Sequence, residues 1–420
     1  MFERSVPLEE DLSIVLDGDR IPARPGEPIA AALLAAGEIR LARSPKLHRP
    51  RGPSCMRGDC DGCLMRVDGE PNVMTCLRNV RGGETISTQN VLGTRKTDLL
   101  RVTDWFFPNG IDHHHLLAGV PGVSGVLTSF ARKMAGLGRL PDRANAPRAA
   151  RRIDADVLVI GGGVAGLTTA AALAARELRV LLVDDGDQVG GDALLFGEEG
   201  TRAVAAIDLT RVTVLAHATA IGVYDDDVLV VARDGTMGAG EDVVATTVVT
   251  APARVFATGS HDGVLAVENN DLPGVFSARA ILRLASLGVR PCEPFAVVGE
   301  GPCATRVAAM WTDLAVAQWP AGELAAIVGG SAVRGVVSHS GVRASVSGVF
   351  TELPTAPAFE LAEQAGAALT HLPARGYAVD VDAEGRAGEG VWAVGSCSTS
   401  PFTARLANAV ADGVARRVLG

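Results

Sequence analysis

Residues 54–76 read SCMRGDCDGCLMRVDGEPNVMTC. The cysteines Cys55, Cys60, Cys63 and Cys76 follow the pattern C-x4-C-x2-C, then twelve residues, then C. That is the spacing at which four thiolates hold a [2Fe–2S] cluster. Structural zinc sites share the C-x2-C element but are usually built from two short pairs. Here three ligands cluster, one stands apart, and no compact histidine pair completes a finger. The cluster is therefore the favoured reading over zinc and over unligated thiols. Gly58 and Gly62 punctuate the loop, where a side chain would keep backbone N–H groups from the sulfurs.

The segments on either side complete a small β-rich unit. LSIVLDGDRIPARPG has two short strands around a DG turn, a hairpin signal. EPIAAALLAAG is a short helix stopped by Gly37. LMRVDGEPNV repeats the strand–DG–strand pattern, and ETISTQN supplies a last strand. This is the element order of a β-grasp ferredoxin-like domain, assigned to residues 1–92. Residues 93–152 are a connector: Trp105, Phe106 and Phe107 are expected to anchor it, GVLTSFARKMAGLGRLP reads as a helix, and APRAARR as a basic linker.

From Ile153 the pattern changes to α/β. ADVLVI runs straight into Gly161, Gly163 and Gly166, the G-x-G-x-x-G of a dinucleotide turn, followed by the helix LTTAAALAARE. The glycines allow the turn, the approach of a pyrophosphate and the packing of helix on sheet. The helix N-terminus then faces the phosphates. LRVLLVD ends at Asp184, eighteen residues after Gly166, placed to bind ribose hydroxyls. Asp185 and Gly191 follow, and TVVTAPARVFATGS, read as hairpin-like, closes at Thr258 and Gly259. A second strand–turn–helix, FAVVGEGPCATRVAAM, carries Gly299, Gly301 and Ala304 and is the weaker nucleotide motif, inside a shortened lobe around 275–345. GVWAVGSCS brings a last strand to Gly395, and FTARLANAVADGVARRVL is a closing helix. Residues 153–420 thus read as a Rossmann-type FAD/NAD-binding domain of the flavoprotein-reductase kind, and the chain as α/β with an α+β N-terminal part.

Composition narrows the function class. Of 420 residues 47% are apolar, 49 are glycine and only 4% aromatic, which fits packed α/β domains with Ala, Val and Leu cores. A net charge of −9 and the lack of a basic tract argue against nucleic acid and anionic membranes. The glycine-broken stretch 156–175 is no membrane span. Seven cysteines without a secretory signal point to the cytoplasm and to metal ligation. Cys292, Cys303 and Cys397 read as small core or turn residues. His113–His115 are consecutive, cannot easily meet one ion, and read as a solvated turn.

Further runs carry a resemblance. KLHRPRG (46–52), DWFFPNGI, MAGLGRLP, GVYDDD (222–227) and ATGSH…NNDLPGVF (257–276) resemble the N-terminal region of the α subunit of heterotetrameric sarcosine oxidase. Related assemblies are opine oxidases, proline and hydroxyproline dehydrogenases and hydrogen cyanide synthase. That resemblance implies an electron-transfer subunit of an amine or amino-acid dehydrogenase or oxidase. Its partners would be a β subunit with its own FAD, which takes hydride from the C–N bond, and further small subunits. FMN is implied at a partner interface, with His48, Arg49 and Arg51 as candidate phosphate ligands and, equally, as a charged packing loop.

Three departures shape the expectation. The α subunit of sarcosine oxidase continues into a folate-binding domain, whereas this chain ends at Gly420. Its ferredoxin-like domain lacks the cluster cysteines present here. Flavoprotein reductases carry Gly-Asp where this chain has Gly395-Ser396, which leaves FAD and NAD both open. No acid–base pair for substrate chemistry stands out, so catalytic residues are expected on the partner. The competing readings are a stand-alone NADH-dependent reductase feeding an oxygenase and a non-catalytic scaffold.

Overall fold

The computed structural model describes the chain except for residues 9–11, 45–47, 90, 92, 95–96, 100–101, 103–104, 106–149, 226 and 233–245. Most of the connector, with its expected helix, the histidine run and the 106–107 aromatics, lies outside the described residues. Trp105, expected as an anchor, is instead 82% exposed. The contacts divide the chain into two units, Met1–Asn145 with Val264–Leu353, and Ala146–Gly263 with Pro354–Gly420. Residues 1–92 therefore share a unit with the shortened lobe.

In the first unit, the N-terminal module is a five-stranded sheet. Its order is Asp19–Ala23, Leu12–Leu16, Thr85–Ser87, Leu64–Val67, Glu70–Met74. Leu12–Leu16 and Asp19–Ala23 form the expected hairpin, and Thr85–Ser87 pairs parallel to the first strand and antiparallel to Leu64–Val67. The helix Ile29–Ala35 buries six of its seven residues, and Gly37 at φ +85° ends it. An edge strand, Phe2–Arg4, leaves this module to pair with Val289–Pro291. Phe2 then packs edge-on to Phe276, Phe276 edge-on to Phe350, and Phe350 against Phe295 at 4.5 Å. So few aromatics concentrated in one row make each one costly to lose. Phe350→Ala should lower stability by about 3–5 kcal/mol, read as a lower urea midpoint; a shift under about 1 kcal/mol would show that this row is not a core.

The lobe itself is a parallel sheet ordered Val275–Ser277, Gly348–Glu352, Phe295–Gly299, Ala315–Trp319, flanked by an antiparallel sheet, Leu324–Gly329, Val333–Ser338 and Arg343–Ser345. Ser277 caps the helix Ala278–Ser286 by accepting the Ala280 N–H at 3.1 Å.

The second unit is built on six strands ordered Val212–Leu215, Val180–Val183, Val157–Ile160, Ala253–Phe256, Val391–Ala393, Arg386–Gly388, all parallel but the last. Every residue of Val157–Ile160 is buried because both faces are covered. Val157 and Val159 meet Leu167 and Leu173 of the helix Val164–Ala174 and Val410 and Val414 of the helix Ala404–Leu419. Leu158 and Ile160 meet Ala218, Val228, Val230 and Val249 from a second sheet.

That second sheet corrects two expectations. Thr246–Thr250 and Ala253–Phe256 are not a hairpin: the first pairs with Asp227–Ala232 and Arg151–Asp154, the second with Val157–Ile160. Ala251-Pro252 carries the chain between layers, and two buried apolar runs joined by a turn look alike in either role. Arg151 and Arg152, read as linker, begin a strand, held by parallel pairing and by Arg152 donating to Asp227 at 3.3 Å.

Candidate functional site

The four cysteines come together as two pairs. Cys55 and Cys60 place their sulfurs 3.4 Å apart. Cys63 and Cys76 are joined by a thiol hydrogen bond. The second pair follows from the hairpin of Leu64–Val67 and Glu70–Met74, in which Leu64 faces Met74. One step beyond, the Thr75 hydroxyl donates to the Cys63 carbonyl at 2.8 Å, so Cys63 and Cys76 close the open end of the ribbon. The twelve-residue gap is the length of that hairpin. Three of the four cysteines are buried and Cys60 is half-buried.

Electrostatics match the geometry. The Ser54 and Arg57 N–H groups donate to the sulfurs of Cys60 and Cys55 at 3.5 and 3.4 Å. The hydrogen bond from Cys55 holds Cys60 down at about 5. That bond and then burial push Cys55 well up. Cys76 lowers Cys63 in the same way and is itself raised. Among the described residues, no three His, Cys, Asp or Glu side chains gather around a single ion position. Two thiol pairs with backbone donors on sulfur suit two irons, each needing two protein thiolates, better than one zinc.

Gly62 has a different purpose from the one expected of it. A Cβ there would lie 1.8 Å from the Gly52 carbonyl oxygen, so it lets two backbones touch. The cluster loop is also bound within its unit: Ser277 N–H donates to the Ser54 carbonyl at 2.8 Å, Arg283 to the Cys55 carbonyl at 3.2 Å, and Arg51 to Asp271. Arg51 is thus an internal ion-pair partner. His48 is fully buried, with Nδ1 3.1 Å from Asp98.

The nucleotide residues converge in the second unit. Gly161 sits at φ +106°, and a Cβ there would be 2.2 Å from the Ala257 carbonyl oxygen. Gly166 needs to be glycine for packing, since its Cβ would meet the Gly161 carbonyl oxygen at 1.9 Å. Gly163 caps the helix Val164–Ala174 and has no atom within 4 Å of its Cβ position, the open side a phosphate would enter. Gly190 bridges to Gly163, and Gly191 lies against it.

Asp184 accepts the Gly162 N–H at 2.6 Å and the Gly186 N–H at 2.9 Å, which fixes its carboxylate beside the turn. Asp185 is exposed. Thr258 donates to the Ala358 carbonyl at 2.5 Å, anchoring the Thr258-Gly259 turn. Gly395, at φ +82°, abuts Ala165 at the start of the same helix. Ser396 presents its backbone carbonyl to Arg375 at 3.2 Å and brings no carboxylate to the site. Gly162, Ala257 and Arg375 were not singled out by the motif, which marks spacing but not which backbone atoms touch.

The remaining cysteines lie outside both pairs. Cys303 and Cys397 are buried and Cys292 half-buried. Burial pushes the Cys397 thiol above its ordinary 9.0. A raised thiol pKa favours the folded state below about pH 9, and the advantage is lost as pH rises and the unfolded thiol ionises. Urea stability should therefore fall above pH 9, and Cys397→Ala should flatten that slope; an identical slope in the variant would reject Cys397 as its source.

Comparison with known proteins agrees with this geometry. Residues 9–91 match the 2Fe-2S iron-sulfur cluster binding domain, and residues 155–321 match pyridine nucleotide-disulphide oxidoreductase. The fold is that of L-proline dehydrogenase from P. horikoshii, with a TM-score of 0.72 over 99% of this chain and 75% of that one at 20% identity. Together these define an iron–sulfur oxidoreductase with a flavin/pyridine-nucleotide domain.

Its curated relatives are the α subunits of sarcosine oxidase from Rhizobium meliloti, 29% identical, and from Corynebacterium sp. strain P-1, 28% identical. The A subunit of opine oxidase from Agrobacterium tumefaciens is 30% identical. The chain is similar over these stretches to sarcosine and opine oxidase subunits. The matches cover 69%, 65% and 38% of this chain and 32%, 26% and 35% of the respective relatives, so the chain spans about a third of their length or less. Among the described residues, no helix is long and apolar enough to cross a membrane.

Proposed function

We propose that this chain is the electron-transfer subunit of a heteromeric flavin-dependent amine or amino-acid dehydrogenase or oxidase. Its substrate would be sarcosine, an opine, proline or hydroxyproline, oxidised on a partner subunit of the cytoplasmic complex. The observation that carries this reading is the pairing of Cys55 with Cys60 and Cys63 with Cys76 in a chain related to sarcosine and opine oxidase subunits. When bound, a [2Fe–2S] cluster accepts and passes on single electrons.

This chain's own residues do the holding and tuning. Cys55, Cys60, Cys63 and Cys76 would supply the thiolates, and the Ser54 and Arg57 N–H groups would stabilise charge on them. The glycine turn at Gly161–Gly166, with Gly191, Asp184, Thr258, Gly259 and Gly395, would bind FAD or NAD. Ser396 in place of a carboxylate counts against FAD. An FMN, if held against a partner, would find His48 and Arg51 already committed inside their own unit, which counts against those two of its three candidate phosphate ligands.

Purification with the products of neighbouring genes tests the reading. The complex should bleach its cluster absorbance on addition of one of these amines, while the chain alone leaves them untouched. Rapid NADH oxidation by the chain alone, with no flavoprotein partner recovered, would replace this reading with the reductase.

A further inference from the structure

Among the described residues, two glycine turns join a parallel strand to a helix, and the first of them is open. The second lies in the 264–353 lobe, between the strand Phe295–Gly299 and the helix Pro302–Met310. We propose that Glu352 occupies the phosphate seat of this turn, so that the lobe takes no dinucleotide. The Glu352 carboxylate accepts the Ala304 N–H at 2.6 Å, in the first turn of the helix. A Cβ on Gly301 would lie 2.3 Å from the carboxyl carbon and 2.5 and 2.6 Å from its oxygens. Pro302 has no N–H to offer, so Ala304 is a principal donor of this helix end. An internal carboxylate satisfies it and complements the helix dipole as a phosphate would.

The first turn provides the control within the same chain. In each turn the opening glycine rests on the carbonyl of a residue leaving a neighbouring parallel strand. Gly161 rests on Ala257, at 2.2 Å from its would-be Cβ, and Gly299 rests on Glu352, at 1.8 Å. Ala257 and Glu352 hold equivalent positions. A methyl at the first leaves the seat open, as the free space beyond Gly163 shows. A carboxylate at the second fills it and would repel a pyrophosphate. Glu352 thereby restricts where a nicotinamide cofactor could deliver electrons, which counts against the NADH reductase. The inference rests on this lobe alone and survives if the amine substrate class is wrong.

Equilibrium dialysis of the full chain against ADP and against NADH tests it. Wild-type chain should bind no more than one equivalent. Gly163→Val, which blocks the first seat without a steric clash, should bind none. The double variant Gly163→Val/Glu352→Ala, which makes the second turn resemble the first, should bind ADP at least tenfold more tightly than Gly163→Val. Two equivalents on wild type, or one retained by Gly163→Val, would overturn the proposal without any Glu352 variant having to fold. A folded double variant with no gain would overturn it too. No binding by wild type would remove the first seat and leave the lobe's closure standing.

Discussion

Cys63→Ser should strip the chain of iron. Cys63 is fully buried, and it meets Cys76, 2% exposed, across the open end of a hairpin. A serine hydroxyl there has almost no anionic form at neutral pH, so one iron would keep a single protein thiolate. The other pair cannot compensate, because its sulfurs already face each other at 3.4 Å. Iron and acid-labile sulfide, about two of each per wild-type chain for a [2Fe–2S] cluster, should fall to near zero. The visible absorbance and the dithionite-reduced electron paramagnetic signal should vanish with them. Cys76→Ser should behave identically, whereas Cys292→Ser, outside both pairs, should change none of these. Zinc without sulfide in the wild type would reject the cluster outright.

Gly163→Val and Gly166→Val should separate binding from folding although they lie three residues apart. Gly163 has φ −70° and ψ 173°, which any L-residue can adopt, and nothing lies within 4 Å of its Cβ position. Valine there should cost about 0.5 kcal/mol or less, as at an ordinary surface site. Its side chain would stand where the phosphate comes closest, and dinucleotide affinity should drop at least about a hundredfold, or ~2.7 kcal/mol. At Gly166 the new Cβ would be driven to 1.9 Å from the Gly161 carbonyl oxygen and 3.1 Å from the Ala257 Cβ. Helix and strand would have to part, at a cost of ~3 kcal/mol or more. Thermal melts with nucleotide titration check both. Equal loss of stability in the two variants would show that the turn is packing alone, and unchanged affinity in Gly163→Val would place the nucleotide elsewhere.

The β-grasp hairpins were legible because DG turns between alternating runs have one ready solution, a tight antiparallel pair. The dinucleotide turn was legible because strand, glycine spacing and helix coincide. The 246–259 segment was misread for the opposite reason. Thr246–Thr250 and Ala253–Phe256 are both short and apolar, and nothing local says that they enter different layers. The involvement of Arg51 with Asp271, 220 residues away, and of Arg283 with the cluster loop left no local mark either.

What the amino-acid order alone settled is the chemistry on offer: four thiols at cluster spacing and a glycine turn with an acid at the end of the next strand. These depend on short-range geometry, which spacing encodes. Tertiary structure decided how that chemistry is arranged. It resolved four thiols into two pairs, since a hairpin closes Cys63 onto Cys76. It also distinguished two similar glycine turns by what a neighbouring strand brings, a methyl at Ala257 and a carboxylate at Glu352. Those neighbours lie about fifty to a hundred residues away from their glycines, and only the pairing of parallel strands sets them face to face.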